Sequence, residues 1–239
     1  QNIVKKLDKI FYEINNRIKI SNEKIKNVNK IFEQSVKKYF QVDESGSKFV
    51  RLSEIAEYFN GLTYSPKDVA NEGTIVLRSS NIQNGQMDFN DVVRVKKKIK
   101  EKLFVKHDDI LICSRNGSKR LVGKCSLIGE QIESMTFGTF MMIVRSNSNY
   151  YLKWFFKSEL FKKQIAIGEN TMINQITRYM LDEVRLPKTS NENQIMVSKK
   201  LHEIDKNVNL IEKLENKKIN ELIKLKKIII SKELQSKVA

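Results

Sequence analysis

The chain has 239 residues, with 44 Lys or Arg against 28 Asp or Glu and a net charge of +16. Two cysteines exclude a disulfide scaffold and point to a reducing, cytoplasmic setting; no apolar run approaches the roughly 18 residues of a membrane helix, so no membrane partner is expected. No signal peptide is visible, and because the chain opens on Gln1 it reads as a fragment or a trimmed product; a charge this positive predicts a polyanionic partner, nucleic acid first.

All nine Gly and both Pro fall between residues 41 and 190, and none lies in 1–40 or 191–239. Turns and strand kinks need Gly and Pro, and long helices exclude them. The pattern predicts a helix over 1–40, an α+β domain over 41–190 and a second helix over 191–239. In the first flank the apolar residues Leu7, Ile10 and Ile14 are followed by polar Arg17 and Ser21, then by Ile25, Val28 and Phe32.

The middle segment opens with a strand at Gly73–Arg78, then a hairpin-type turn at Asn84-Gly85 and a strand at Val92–Val95. Further strands are predicted at Ile110–Cys113, Leu121–Ile128 and Phe140–Val144. One helix is predicted over Tyr150–Gly168 and a short one over Gln175–Glu183, ahead of extended Val184–Pro187. The domain is therefore sheet-centred.

The last flank has eleven Lys and no Arg, whereas eight of the nine Arg lie in the middle segment. Offset by 194 residues, the two flanks match: Lys5-Lys6-Leu7 meets Lys199-Lys200-Leu201, and Asn15, Lys19, Lys24 and Ile25 meet identical residues. The second apolar series runs Leu201, Ile204, Val208, Ile211, then Glu215, Ile219, Leu222 and Ile229. Both series take a four-residue step at the same place, 21 to 25 and 215 to 219, which resembles a coiled-coil stutter. Helices of about 60 Å carrying such a stripe need a partner. The two are expected to pack on each other or on the same elements of a second copy.

Enzyme signatures are sparse. Gly117 to Gly123 spans five residues where a phosphate-binding loop needs four, and His107, His202, Cys113 and Cys125 give no zinc spacing. No cofactor and no metal are expected on this chain, and no catalytic residue is assigned. Three polar loops stand out instead. The first holds Arg78, Ser79, Ser80 and Asn81, the second Arg115, Asn116, Lys119 and Arg120, and the third Asn174, Gln175 and Arg178. Arg, Asn and Gln make bidentate contacts with guanine and adenine edges, and Ser and Lys suit phosphates. A protein-binding scaffold, an RNA-binding module and a metal-dependent nuclease remain alternatives at this point.

Several stretches, taken in order, resemble the specificity subunit of type I restriction–modification systems. They are Leu52-Ser53-Glu54-Ile55-Ala56, Gly61 to Asp68, Val76 to Gly85, Asp108 to Gly117, Leu121-Val122-Gly123-Lys124, Phe137-Gly138 and Ile173-Asn174-Gln175-Ile176. The resemblance implies a target recognition domain between two long helices that form an antiparallel coiled coil. It implies a non-catalytic reader of one half of a bipartite site in double-stranded DNA. Its implied partners are modification (methyltransferase) subunits using S-adenosylmethionine and a restriction subunit, with Mg and ATP also on partners. The family usually carries two recognition domains per chain and this sequence has one. It therefore reads as the second half of a subunit, or as a half-size one completed by a homodimer or a second recognition half.

Overall fold

The computed structural model describes residues 2–41, 48–130, 133–166 and 175–235. Freedom from Gly and Pro carries each flank into one helix, α1 over Asn2–Phe40 and α6 over Asn191–Gln235. The chain divides into two compact units, residues 1–35 with 200–239, and residues 36–199.

In the first unit the helices run antiparallel. Lys24 Nζ meets Glu215 Oε1 at 3.2 Å, the Asn29 amide donates to Glu212, and Lys226 Nζ donates to Asn15 Oδ1 at 3.1 Å while lying over the Phe11 ring. The buried and half-buried seam runs Leu7, Phe11, Ile14, Ile18, Ser21, Ile25, Val28, Phe32 on α1. On α6 it runs Val208, Glu212, Glu215, Ile219, Leu222, Lys226, Ile229, with Leu201 buried nearer the start. Both series alternate steps of four and three without a break. The expected stutter is therefore corrected: the steps from 21 to 25 and from 215 to 219 are ordinary members of the alternation. Ile211 is also corrected. It is 37% exposed, because the step from Val208 brings Glu212 to the seam. Ile10 and Ile204 flank the seam, half-buried.

Ser21 and Glu215 occupy equivalent places in the 194-residue repeat, and they meet near the middle of the coil. Lys24 and Lys218 are likewise equivalent, and both approach the Glu215 carboxylate, at 3.2 and 4.0 Å. The neighbouring Ser21 hydroxyl holds the Glu215 carboxyl below the usual range against its own desolvation, and Lys24 and Lys218 act in the same direction. A depressed carboxyl contributes stability that is present above its unfolded value and is lost as pH falls through the folded one. Glu215→Gln is therefore expected to melt earlier than wild type at pH 7, with the gap closing as pH drops below the ordinary glutamate range. Melts followed by circular dichroism check this, and a gap that persists in acid would refute it.

The second unit contains β1 (Phe49–Arg51), α2 (Leu52–Ile55), β2 (Glu57–Asn60), β3 (Val69–Ala70), β4 (Thr74–Leu77), β5 (Ile82–Gln83), β6 (Gln86–Met87) and β7 (Val93–Val95). They are followed by β8 (Ile110–Cys113), β9 (Cys125–Leu127), β10 (Met135–Phe137) and β11 (Met141–Arg145). The unit is completed by α3 (Asn149–Phe156), α4 (Glu159–Ala166), α5 (Arg178–Asp182) and β12 (Arg185–Pro187). One four-stranded sheet has the order β10-β4-β7-β3, with β10 parallel to β4; the other has the order β2-β11-β8-β9 and is antiparallel. Ile75, Leu77 and Phe137 of the first sheet share one buried cluster with Leu111, Cys113, Met141 and Ile143 of the second. Burial of that shared apolar surface is what holds the two sheets together.

The Asn84-Gly85 turn forms as expected, with both residues at positive φ (52° and 70°), and it joins β5 to β6. The single helix expected over 150–168 is broken. Ser158 is fully buried, its hydroxyl donates to the Phe155 carbonyl at 2.6 Å, and it accepts from the Phe161 amide at 3.4 Å. That side chain ends α3 and starts α4. Phe40 stacks on Tyr151 at 4.5 Å and approaches Phe155 at 5.5 Å, so the last turn of α1 belongs to this unit's core.

Candidate nucleic-acid interface

β8 and β11 are adjacent antiparallel strands, and the end of β8 meets the start of β11. The backbone amides of Ser114 and Arg115 donate to the Phe140 carbonyl at 2.9 and 3.1 Å, and the Ser114 hydroxyl donates to the same oxygen at 3.0 Å. This fixes the second polar loop. The third joins it through an antiparallel bridge between Arg115 and Gln175 and through the Ile176 amide, which donates to the Ser114 carbonyl at 2.7 Å. The first arrives through Ser79: Asn116 Nδ2 donates to its hydroxyl at 3.4 Å and Lys124 Nζ to its carbonyl at 3.4 Å. Three loops separated in sequence thus converge at one end of the sheet.

The members play different parts. Ser80 is exposed, and Ser79 and Asn116 are half-buried. Arg78 is half-buried; its Nη2 donates to Asp91 Oδ2 at 2.9 Å, which sets the guanidinium's direction. Asn81 does not fit the role of a base-contacting residue. It is 1% exposed, accepts from the Arg78 amide, and donates to the carbonyls of Asp88 and Asp91 at 3.0 and 2.8 Å. Its amide shapes the loop from within. Arg115 is exposed, and its guanidinium lies over the Phe140 ring at 5.5 Å. Lys119 and Arg120 are exposed on a 3₁₀ turn over Lys119–Leu121. Arg178 is drawn aside, its Nη2 donating to the Tyr58 carbonyl of β2 at 2.7 Å. Asn174 lies outside the described residues.

Sequence reasoning missed Phe140, Tyr64 and Lys124. A cleft of about 600 Å³ sits between the first loop and the turn after β10, lined by Tyr64, Pro66, Arg78, Ser79, Thr139 and Phe140. Exposed Phe140 borders it. The signal available in the sequence was the Gly138-Thr139 turn placed just ahead of a strand.

The other end of β8 and β11 carries different chemistry. Asp109 is buried and receives Arg145 Nε at 2.8 Å and Nη2 at 2.7 Å, so the His107-Asp108-Asp109 turn is partly an ion-pair anchor. A cleft of about 930 Å³ there mixes Glu54, Glu57, Lys106, His107, Asp108 and Arg145. Among the described residues no three His, Cys, Asp or Glu side chains gather closely enough to hold a metal. Burial pushes the Cys113 thiol up and the Cys125 thiol up to about 12, which keeps both protonated and poor nucleophiles at neutral pH. No described helix is long and apolar enough to cross a membrane.

Residues 44–222 match the family described as the type I restriction modification DNA specificity domain. Over 159 residues the chain is 30% identical to the type I restriction enzyme StySPI specificity subunit of Salmonella potsdam and 28% identical to the EcoKI specificity subunit of Escherichia coli K12. Each match covers 63% of this chain and 34% of the relative, so the chain spans about a third of the length of these curated relatives. Among solved structures it is similar to a chain described under complex assembly and conformational transition of the type I R-M system. That match has a TM-score of 0.77 and 16% identity, over 97% of this chain and 57% of the other. The HsdS subunit from Thermoanaerobacter tengcongensis follows at a TM-score of 0.63 and 16% identity, over 97% and 56%. At these identities the likeness is one of fold: a sheet-centred α+β domain accompanied by two long helices.

Proposed function

Because the chain belongs to the type I restriction–modification DNA specificity family, we propose that it reads one half of a bipartite sequence in double-stranded DNA and performs no catalysis itself. The observation that carries this reading is the convergence of Arg78, Ser79, Ser80, Arg115, Asn116 and Gln175 at one end of the domain. Guanidinium and carboxamide groups there suit base edges in the major groove, while the hydroxyls suit phosphates. Lys119, Arg120 and the net charge of +16 supply sequence-independent attraction to the backbone. Arg178 is assigned to this role through the part of its guanidinium not engaged with the Tyr58 carbonyl among the described residues, and Asn174 by its residue type alone.

The coil of α1 and α6 spaces this domain from a second recognition half, supplied by a longer chain or by a second copy. It also docks the modification subunits, which carry S-adenosylmethionine, and through them the restriction subunit with its ATP and Mg. Two buried free thiols suit the reducing cytoplasm where such a complex works.

Binding of fluorescent duplexes selected from a random pool, repeated from low to high salt, tests the reading. Affinity should fall steeply with salt and one short sequence should be preferred; Arg115→Ala should lose about 1–3 kcal/mol of that preference. A flat salt response would favour a protein scaffold, stronger binding to structured RNA an RNA module, and metal-dependent cleavage by the purified chain a nuclease. Each of these would overturn the proposal.

A further inference from the structure

Arg115 has five N–H donors, yet its guanidinium makes no hydrogen bond or ion pair among the described residues. What orients it is the face of Phe140, at 5.5 Å from the ring centroid. The backbone beneath is rigid, since the Phe140 carbonyl accepts from two amides and a hydroxyl of the Arg115 loop. The ring itself is 54% exposed, although the strand it precedes is buried. The exposed ring, with a guanidinium on its face that has no other partner among the described residues, serves no part of the core and presents a flat apolar face beside a set of free donors.

Resting on the DNA-reading assignment above, we infer that Phe140 and Arg115 act as one reading unit for a thymine–guanine step. The Arg115 fork meets guanine O6 and N7, and the Phe140 ring contacts the C5 methyl of the adjacent thymine. Phe140 is then both a specificity determinant for the thymine and a positioning residue for Arg115. Stacking matters because a planar fork makes two parallel bonds only when its plane is set in advance.

The test uses the full chain and the duplex that wild type selects. Uracil in place of the thymine removes only the methyl group, and 7-deazaguanine removes only N7. Wild type should lose about tenfold in affinity for each change. Arg115→Ala should lose the response to 7-deazaguanine and keep the response to uracil. Phe140→Ala should lose both, Phe140→Leu should keep the uracil response and lose most of the guanine response, and Phe140→Tyr should keep both. The exposure of the ring makes these variants foldable, and circular dichroism checks that they are. If Arg115→Ala abolishes a guanine preference while Phe140→Ala leaves both responses intact, the inference is wrong and the DNA-reading assignment stands. If wild type selects no sequence at all, the DNA-reading assignment itself fails.

Discussion

Asp109→Ala is expected to cost the globular unit about 3–5 kcal/mol, the usual effect of removing one partner of a buried ion pair. The carboxylate is 1% exposed and accepts Arg145 Nε, Arg145 Nη2 and the Lys106 amide at 2.8, 2.7 and 2.7 Å. Arg145 is held besides by the Phe104 carbonyl at 3.3 Å and by the Phe59 ring at 4.8 Å. Without Asp109 the guanidinium cannot neutralise itself, since Arg stays charged, and it cannot leave without giving up that packing. Urea unfolding should show a lower midpoint with an unchanged slope. The pair sits at the end of β8 and β11 away from Arg115, so the variant, where folded, should keep its sequence preference. An unchanged midpoint would mean the pair is solvated and structurally idle.

Gly61→Ala is expected to cost about 3 kcal/mol, at the upper end for overpacking. A β-carbon at Gly61 would lie 2.0 Å from the Gly138 carbonyl oxygen and 2.6 Å from that of Phe137. Both obstacles are backbone, so no rotamer relieves them. They cannot retreat either: the Leu62 amide donates to Phe137 at 2.7 Å and the Gly138 amide to Leu77 at 2.9 Å. This crossing is where β2 of one sheet passes the end of β10 of the other, two residues before Phe140. The substitution should therefore weaken sequence preference along with stability. Gly129→Ala, with nothing among the described residues within 4 Å of the added carbon, is the control and should leave both unchanged.

The helices were legible because the absence of Gly and Pro over 40 residues admits few other structures. β4, β8 and β11 were legible because Ile, Val and Leu run together there. The edges were not. β2 reads Glu57-Tyr58-Phe59-Asn60, and β1 is three residues, Phe49-Val50-Arg51; only their pairing makes them strands, whereas β12 lies within the extended stretch expected over Val184–Pro187. The seam register was misread because Ile10 and Phe11 are both apolar, and so are Ile204, Val208 and Ile211; only the partner helix decides which face is covered. In the three polar loops, composition brought out segments that converge in the fold, but could not separate Asn81, buried and bonded to backbone, from Arg115, exposed and with no side-chain hydrogen bond among the described residues. Phe140 escaped because it heads the run Phe140-Met141-Met142-Ile143-Val144, where an aromatic reads as core. It stands one residue before the strand begins, and that residue decides its exposure.

The polar layer in the coil bears on which helix chooses which. α1 and α6 share a 194-residue repeat, so self-pairing of either is the natural competitor of the pair that forms. Two copies of α6 would bring two Glu215 carboxylates into one layer, and two copies of α1 would leave two Lys24 ammonium groups around a pair of serines with no acid between them. The mixed pair alone gives a single carboxylate to a serine hydroxyl and two flanking lysines. The same holds at other equivalent seam positions, Ile18 against Glu212 and Phe32 against Lys226, so the two repeats differ at several places where partner is told from self.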